Sequence, residues 1–137
     1  MEIAQSVKTY HRTRTPVYSC QYHVVVCPKY RRKVLVAPID TRLKELFLEK
    51  QEEYGYRVLE MEVMPDHVHL LLDVNLVVGI DKIVRQIKGY TAHTIRAEYP
   101  WMKKRLPSLW TRSRFISTVG AVSLETVKRY IEDQKGK

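Results

Sequence analysis

The stretch MPDHVHLLL, residues 64–72, sets His67 and His69 at alternate positions at the head of an apolar run. In a strand, residues i and i+2 share a face, so the two imidazoles stand side by side, about 6–7 Å apart along the backbone. Val68, Leu70 and Leu72 fall on the opposite face and Leu71 continues the near one, the pattern of a central strand fixed by packing. Two imidazoles on a rigid element make half of a site for a metal ion. Pro65 precedes the strand, where a missing amide costs nothing, and Asp66 can accept from an imidazole N–H or help neutralise a metal. The same residues also fit a pair of satisfied core histidines, and the rest of the chain has to decide. Near the other end, Tyr130 and Gln134 stand at i, i+4. On a helix they share a face bordering an apolar stripe, so a phenol and an amide could look together into a site on the sheet.

These groups need elements to hold them. VYSCQYHVVVC, residues 17–27, is rich in β-branched and aromatic residues and predicts a strand that Pro28 ends. Lys29 to Lys33 then lead into Val34–Val36, expected as a short edge strand whose charges could track a phosphate backbone. Thr41 to Tyr54 reads as a helix with Leu43, Leu46 and Phe47 on one face, a cap at Asp40 or Thr41, and Gly55 behind it. Tyr56 to Met64 alternates as a strand, with Leu59, Met61 and Val63 on one side and Glu60 and Glu62 on the other. The tight turn at Pro65 makes it the antiparallel neighbour of the histidine strand. From about Gly79 to Ala97 the period changes to helical, with Ile80, Ile83, Val84, Ile87 and Ile95 inward and Lys82, Arg85, Lys88, His93 and Arg96 outward. Gly89 in its middle suggests a close approach by another backbone, of protein or nucleic acid.

Pro100 stops that helix. The segment from Trp101 to Arg114 holds Lys103, Lys104, Arg105, Arg112 and Arg114 with Trp101 and Trp110, and no acid. Cations with interleaved indoles suit a single strand of nucleic acid, and a solvated loop with its tryptophans tucked into the core is the competing reading. Phe115 to Val119 is expected as a last strand, and Ser123 caps a final helix to about Gln134 that buries Leu124, Val127 and Ile131. The order of elements predicts an α+β fold, a ferredoxin-like antiparallel sheet with helices packed on it.

At 137 residues the chain is read as one domain, 1–137, with a basic arm over residues 1–14 that is either a solvated tail or a nucleic-acid contact. Twenty-four Lys and Arg against 15 Asp and Glu leave a formal charge of +9, so a polyanion is the expected partner, nucleic acid before an anionic membrane surface. No apolar run approaches the length of a span, and the first residues lack a signal peptide's apolar core, so the chain is expected in the cytosol without a membrane partner. Cys20 and Cys27 lie an odd number of residues apart on one strand, face opposite sides, and read as small core residues.

Three blocks, MPDHVHLLL, YHVVVCPKYRRKVL and LWTRSRFISTVGAVSLETVKRYIEDQ, together resemble the single-tyrosine HUH transposases of the 200/605 insertion-sequence family. The resemblance runs from about Tyr18 to Gln134. It implies that His67 and His69 bind a divalent metal, Mg²⁺ or Mn²⁺, with Gln134 as third protein ligand and Tyr130, on the helix of residues 123–134, as nucleophile. It also implies a homodimer with merged sheets, the histidines of one subunit meeting the tyrosine helix of the other. The expected activity is binding of DNA hairpins at element ends, with cleavage and rejoining of single-stranded DNA through a 5′-phosphotyrosine and no nucleotide cofactor. Such a protein would be prokaryotic, and nucleoid-associated when bound to DNA. Lys29, Arg31, Arg32, Lys82, Arg85, Lys88, Lys103, Lys104, Arg105, Arg112 and Arg114 are the expected DNA contacts. Val26 stands where relatives often have Trp, and Arg114 where they often carry an aromatic; the first touches packing, the second base recognition. Two other readings stay open: a domesticated nuclease acting on chromosomal repeats, and a single-strand-binding module that cuts nothing. Tyr130 with Gln134 separates the last from the others, since mere binding has no need of a hydroxyl facing two histidines.

Overall fold

Branched and aromatic residues carry the backbone into four strands, and two long amphipathic helices close one side of the sheet they form. The computed structural model describes residues 19–119 and 132–133. Strands β1 (Ser19–Pro28), β2 (Tyr56–Met64), β3 (His67–Asn75) and β4 (Trp110–Thr118) are joined by helices α1 (Ile39–Glu49), α2 (Gln51–Tyr54), α3 (Ile80–Glu98) and α4 (Trp101–Arg105). The sheet order is β2-β3-β1-β4 with every neighbouring pair antiparallel. This is the ferredoxin-like arrangement expected from the element order, with β3 in the interior of the sheet as its apolar run requires.

Val24, Val26, Val68, Leu70, Leu72 and Val74 project from the sheet into one apolar cluster with Leu43, Leu46 and Phe47 of α1 and Ile83, Val84, Ile87 and Ile95 of α3. Burial of that continuous surface is the main force holding the layers together, at roughly 1.5–3 kcal/mol for each large side chain. Gly55 ends α2 with φ +84°, a left-handed turn that glycine takes without strain; a Cβ there would stand 3.1 Å from Val78 Cγ2.

Several expectations are corrected. Val34–Val36 forms no strand: Val34 and Leu35 are buried as an irregular segment, pinned by the Leu35 amide donating to the Pro65 carbonyl at 3.0 Å. The helix expected over residues 41–54 starts at Ile39 and is interrupted at Lys50. Asp40 lies in its first turn, where Oδ1 accepts from the Thr41 amide at 2.8 Å. Leu59 does not align with Met61 and Val63, because β2 is bulged between Val58 and Glu60; Leu59 is buried there, apart from the main cluster. The last strand begins at Trp110 rather than Phe115, since pairing of Pro28 with Trp110 extends it. The arm of residues 1–14 and the helix of residues 123–134, with Tyr130 and Gln134, lie outside the described residues.

Candidate metal centre and nucleic-acid interface

The two-residue turn at Pro65 and Asp66 reverses the chain so that Met64 pairs with His67 and Glu62 with His69. Because the side-chain period of a strand is two, the helix-facing residues Val68 and Leu70 force His67 and His69 onto the opposite face, as the spacing predicts. On that face His67 Nδ1 lies 3.0 Å from Asp66 Oδ1, and Asp66 Oδ2 accepts from the Arg31 guanidinium. Burial works to raise the Asp66 carboxyl, but hydrogen bonds from His67 and Arg31 overcome it and hold the group below the usual carboxylate range.

His69 meets a partner absent from the sequence reading. Its Nε2 lies 3.0 Å from His23 Nδ1, with the rings 15° from parallel and their centroids 5.2 Å apart. That separation, with nitrogen facing nitrogen, means that the rings meet edge to edge more than face over face. One of the two nitrogens must carry the proton and the other must accept it. Burial first, and His23 second, keep His69 below the ordinary imidazole range, against the pull of Glu62 and Glu60. The signal for His23 was available in register: β1 runs antiparallel to β3 with Val25 opposite His69, which brings His23 onto the same face one diagonal step away.

The donor chemistry suits a divalent ion in part. Two imidazoles stand on one face of a buried strand, and burial favours the neutral form of His69 that ligation requires. Among the described residues no group of three or more His, Cys, Asp and Glu side chains is placed to hold a metal, so these histidines are a partial donor set. His93, on the outer face of α3, is exposed.

The expected DNA contacts separate into two kinds. Arg32, Lys82, Arg85, Lys103, Lys104, Arg105 and Arg112 are exposed, and Lys29, which is half-buried, lies over the Tyr30 ring at 5.5 Å. Three others are turned to the protein. Arg31 pairs with Asp66, its side chain only 7% exposed. Lys88 donates to the Thr111 carbonyl at 2.8 Å, and burial first, with Arg114 second, pushes its pKa down to about 8. Arg114 pairs with Asp81 at the start of α3 at 2.6 Å. Arg114 is also the cross-strand partner of Val26, so the two departures from the family pattern are direct neighbours. The tryptophans divide as well. Trp110 is buried with Nε1 donating to Thr91 Oγ1 at 3.0 Å, whereas Trp101 stays 42% exposed beneath Arg105, 5.4 Å from its ring centroid. A Cβ on Gly89 would meet nothing within 4 Å, so no neighbour among the described residues explains that glycine.

Comparison with known proteins converges on one family. Residues 16–134 match the family described as "Transposase IS200 like". The chain is 38% identical over 123 residues to the ISDra2 transposase TnpA of Deinococcus radiodurans, covering 88% of each chain. It is 26% identical over 123 residues to the transposase for insertion sequence element IS200 of Salmonella typhimurium, covering 86% of this chain and 81% of that one. Among solved structures, a Deinococcus radiodurans R1 protein assigned as a transposase superposes with TM-score 0.79 at 32% identity, over 85% of this chain and 92% of that one. A REP-associated tyrosine transposase bound to a REP hairpin superposes with TM-score 0.56 at 13% identity, over 82% and 62%, a likeness of fold alone. With a family match over most of its length, the chain belongs to the IS200-like transposases.

Proposed function

We propose that this transposase binds hairpins at the ends of its element and cleaves and rejoins single-stranded DNA through Tyr130. The observation that carries the reading is the pair of imidazoles on one face of the interior strand β3, in a chain of the IS200-like family. A hairpin in the structure of a protein of the same fold supports the choice of DNA. A divalent ion, Mg²⁺ or Mn²⁺, would be held by His67, His69 and Gln134 and would supply positive charge to the scissile phosphate. Tyr130 provides the nucleophile: its phenolic oxygen bonds to phosphorus as the bond to the 3′ oxygen breaks, and the phenol's proton goes to the leaving 3′ oxygen. The products are a 5′-phosphotyrosine and a 3′-hydroxyl. Since the new linkage is again a phosphodiester, a second 3′-hydroxyl can reverse the step and join new strands without a nucleotide cofactor. Exposed Lys82, Arg85, Lys103, Lys104 and Arg105 contribute the phosphate contacts that fix the DNA.

The active form is a homodimer in which the tyrosine helix of one chain completes the histidine site of the other. Mixing a Tyr130→Phe chain with a His67→Ala chain tests this. Trans sites regain cleavage in the mixed dimer, because one site is intact and the other carries both defects, and the covalent adduct appears only on the His67→Ala chain. Cis sites regain nothing after demonstrated subunit exchange. An adduct on the Tyr130→Phe chain would remove Tyr130 as nucleophile, and hairpin binding with no cleavage in Mg²⁺ or Mn²⁺ would favour the binding module.

A further inference from the structure

The residues beside His67 are arranged to decide which of its nitrogens faces outward. Asp66 Oδ1 lies 3.0 Å from His67 Nδ1, and an ionised carboxylate can only accept. The contact therefore places the proton on Nδ1 and leaves the lone pair on Nε2. Alone, a carboxylate in a turn would not be a firm reference point. Asp66 borders an open cleft of about 490 Å³, shared with Tyr30, Arg31, Lys33 and Pro65, where it could swing to water or to a cation. Arg31 prevents that swing by holding the second carboxylate oxygen.

Reaching Asp66 imposes an unusual backbone on the chain. Tyr30 and Arg31 both have positive φ, 61° and 51°, and neither is glycine. Side chains with a Cβ rarely adopt this conformation, and it persists only where its surroundings enforce it. Both ends of the segment are tied: the Lys29 amide donates to the Leu109 carbonyl at 2.8 Å, and the Leu35 amide to the Pro65 carbonyl at 3.0 Å. The strained turn points Arg31 inward while Tyr30 and Lys33 stay outside.

We infer that Arg31 and Asp66 are positioning residues, which fix the His67 ring with Nδ1 protonated and Nε2 presented outward as the donor to a divalent cation. The inference rests on the proposed metal role of His67 and assigns Arg31 to the site's support instead of to DNA.

Long-range ¹H–¹⁵N spectra of the imidazoles in the full-length, metal-free protein, recorded above the imidazole titration range, read the tautomer directly. Calorimetric titration with Mn²⁺ reads the donor. Wild type should show His67 as the Nδ1–H tautomer. Asp66→Ala and Arg31→Met should mix the tautomers and weaken Mn²⁺ binding about 10- to 100-fold. Asp66→Asn offers one accepting oxygen to two donors, the His67 Nδ1–H and the Arg31 guanidinium, so it should mix the tautomers as well. An Nε2–H tautomer in wild type overturns the inference, and that reading needs no variant to fold. So does an Arg31→Met protein that keeps both the wild-type tautomer and the wild-type affinity; should that variant fail to fold, an Asp66→Ala protein that keeps both overturns it equally. Wild type that holds the Nδ1–H tautomer yet takes up no Mn²⁺ would instead sink the metal reading. Uptake with the opposite tautomer would sink this inference alone.

Discussion

On the helix side of the sheet, Val24, Leu70 and Leu72 are each at most 2% exposed and belong to one apolar cluster. One residue along β3 in either direction, the other side carries His67, His69 and Asp73, and from β1 His23. The first face is stabilised by area removed from water, which is non-directional and tolerates repacking. On the second, His69 meets His23 and His67 meets Asp66 through contacts of fixed direction. Substitutions should therefore separate cleanly, harming stability on one face and chemistry on the other.

The widest separation is expected from His67→Ala with His69→Ala. Strand cleavage should fall on the order of a thousandfold or more, consistent with losing several kcal/mol of charge stabilisation, while hairpin affinity measured by gel shift stays near wild type. If the double variant cuts normally, the histidine face is not the active site. The reciprocal change is Leu72→Ala. Opening a cavity beneath the sheet should cost about 2–5 kcal/mol in urea unfolding, with cleavage per folded molecule preserved at low temperature.

Salt titration of hairpin binding sharpens the contrast among cations. Neutralising Lys82 or Lys103 should flatten the slope of log K against log salt by about one unit, whereas Arg31→Met should leave that slope unchanged, because its charge is spent on Asp66. A slope that responds equally to all three would erase the distinction between outward and inward cations. The smallest expected effect concerns Lys88, pushed down to about 8 chiefly by burial. With the folded pKa below the ordinary lysine value of 10.5, the unfolded chain binds more protons between those values, so this group adds stability as pH rises from about 8 towards 10.5. Cys27, pushed up to about 11 by burial, works oppositely above 9. The difference between wild type and Lys88→Met in melting temperature across pH 8–10 isolates the lysine; parallel curves would show that it does not titrate there.

The sequence carried the periodic parts of this molecule well. The bounds of β2, the start of β3, the apolar stripe of α3 and the shared face of His67 and His69 all follow from periods of two and 3.6, which are local properties. Contacts between elements were harder to read. His23 stood inside a strand already identified, but its meeting with His69 depends on the register of β1 against β3. Arg31 read as one more cation in a basic run because nothing local announces a turn that two non-glycine residues enter with positive φ. The opposite fates of Trp101 and Trp110 were likewise settled by Thr91 and the edge of the sheet, far away in sequence.

The Pro65–Asp66 turn also orders events in time. Among the described residues, β2 and β3 are the only strand pair joined by a tight local reversal, so this hairpin can close in microseconds. The Arg31–Asp66 and His23–His69 contacts span 35 and 46 residues, and each must await the entropic cost of a long loop. A nascent hairpin would thus already carry both imidazoles and Asp66, while the groups that discipline them arrive only when β1 docks. Until then the half-made site is a pair of loose histidines, and docking of β1 is the step that makes it selective.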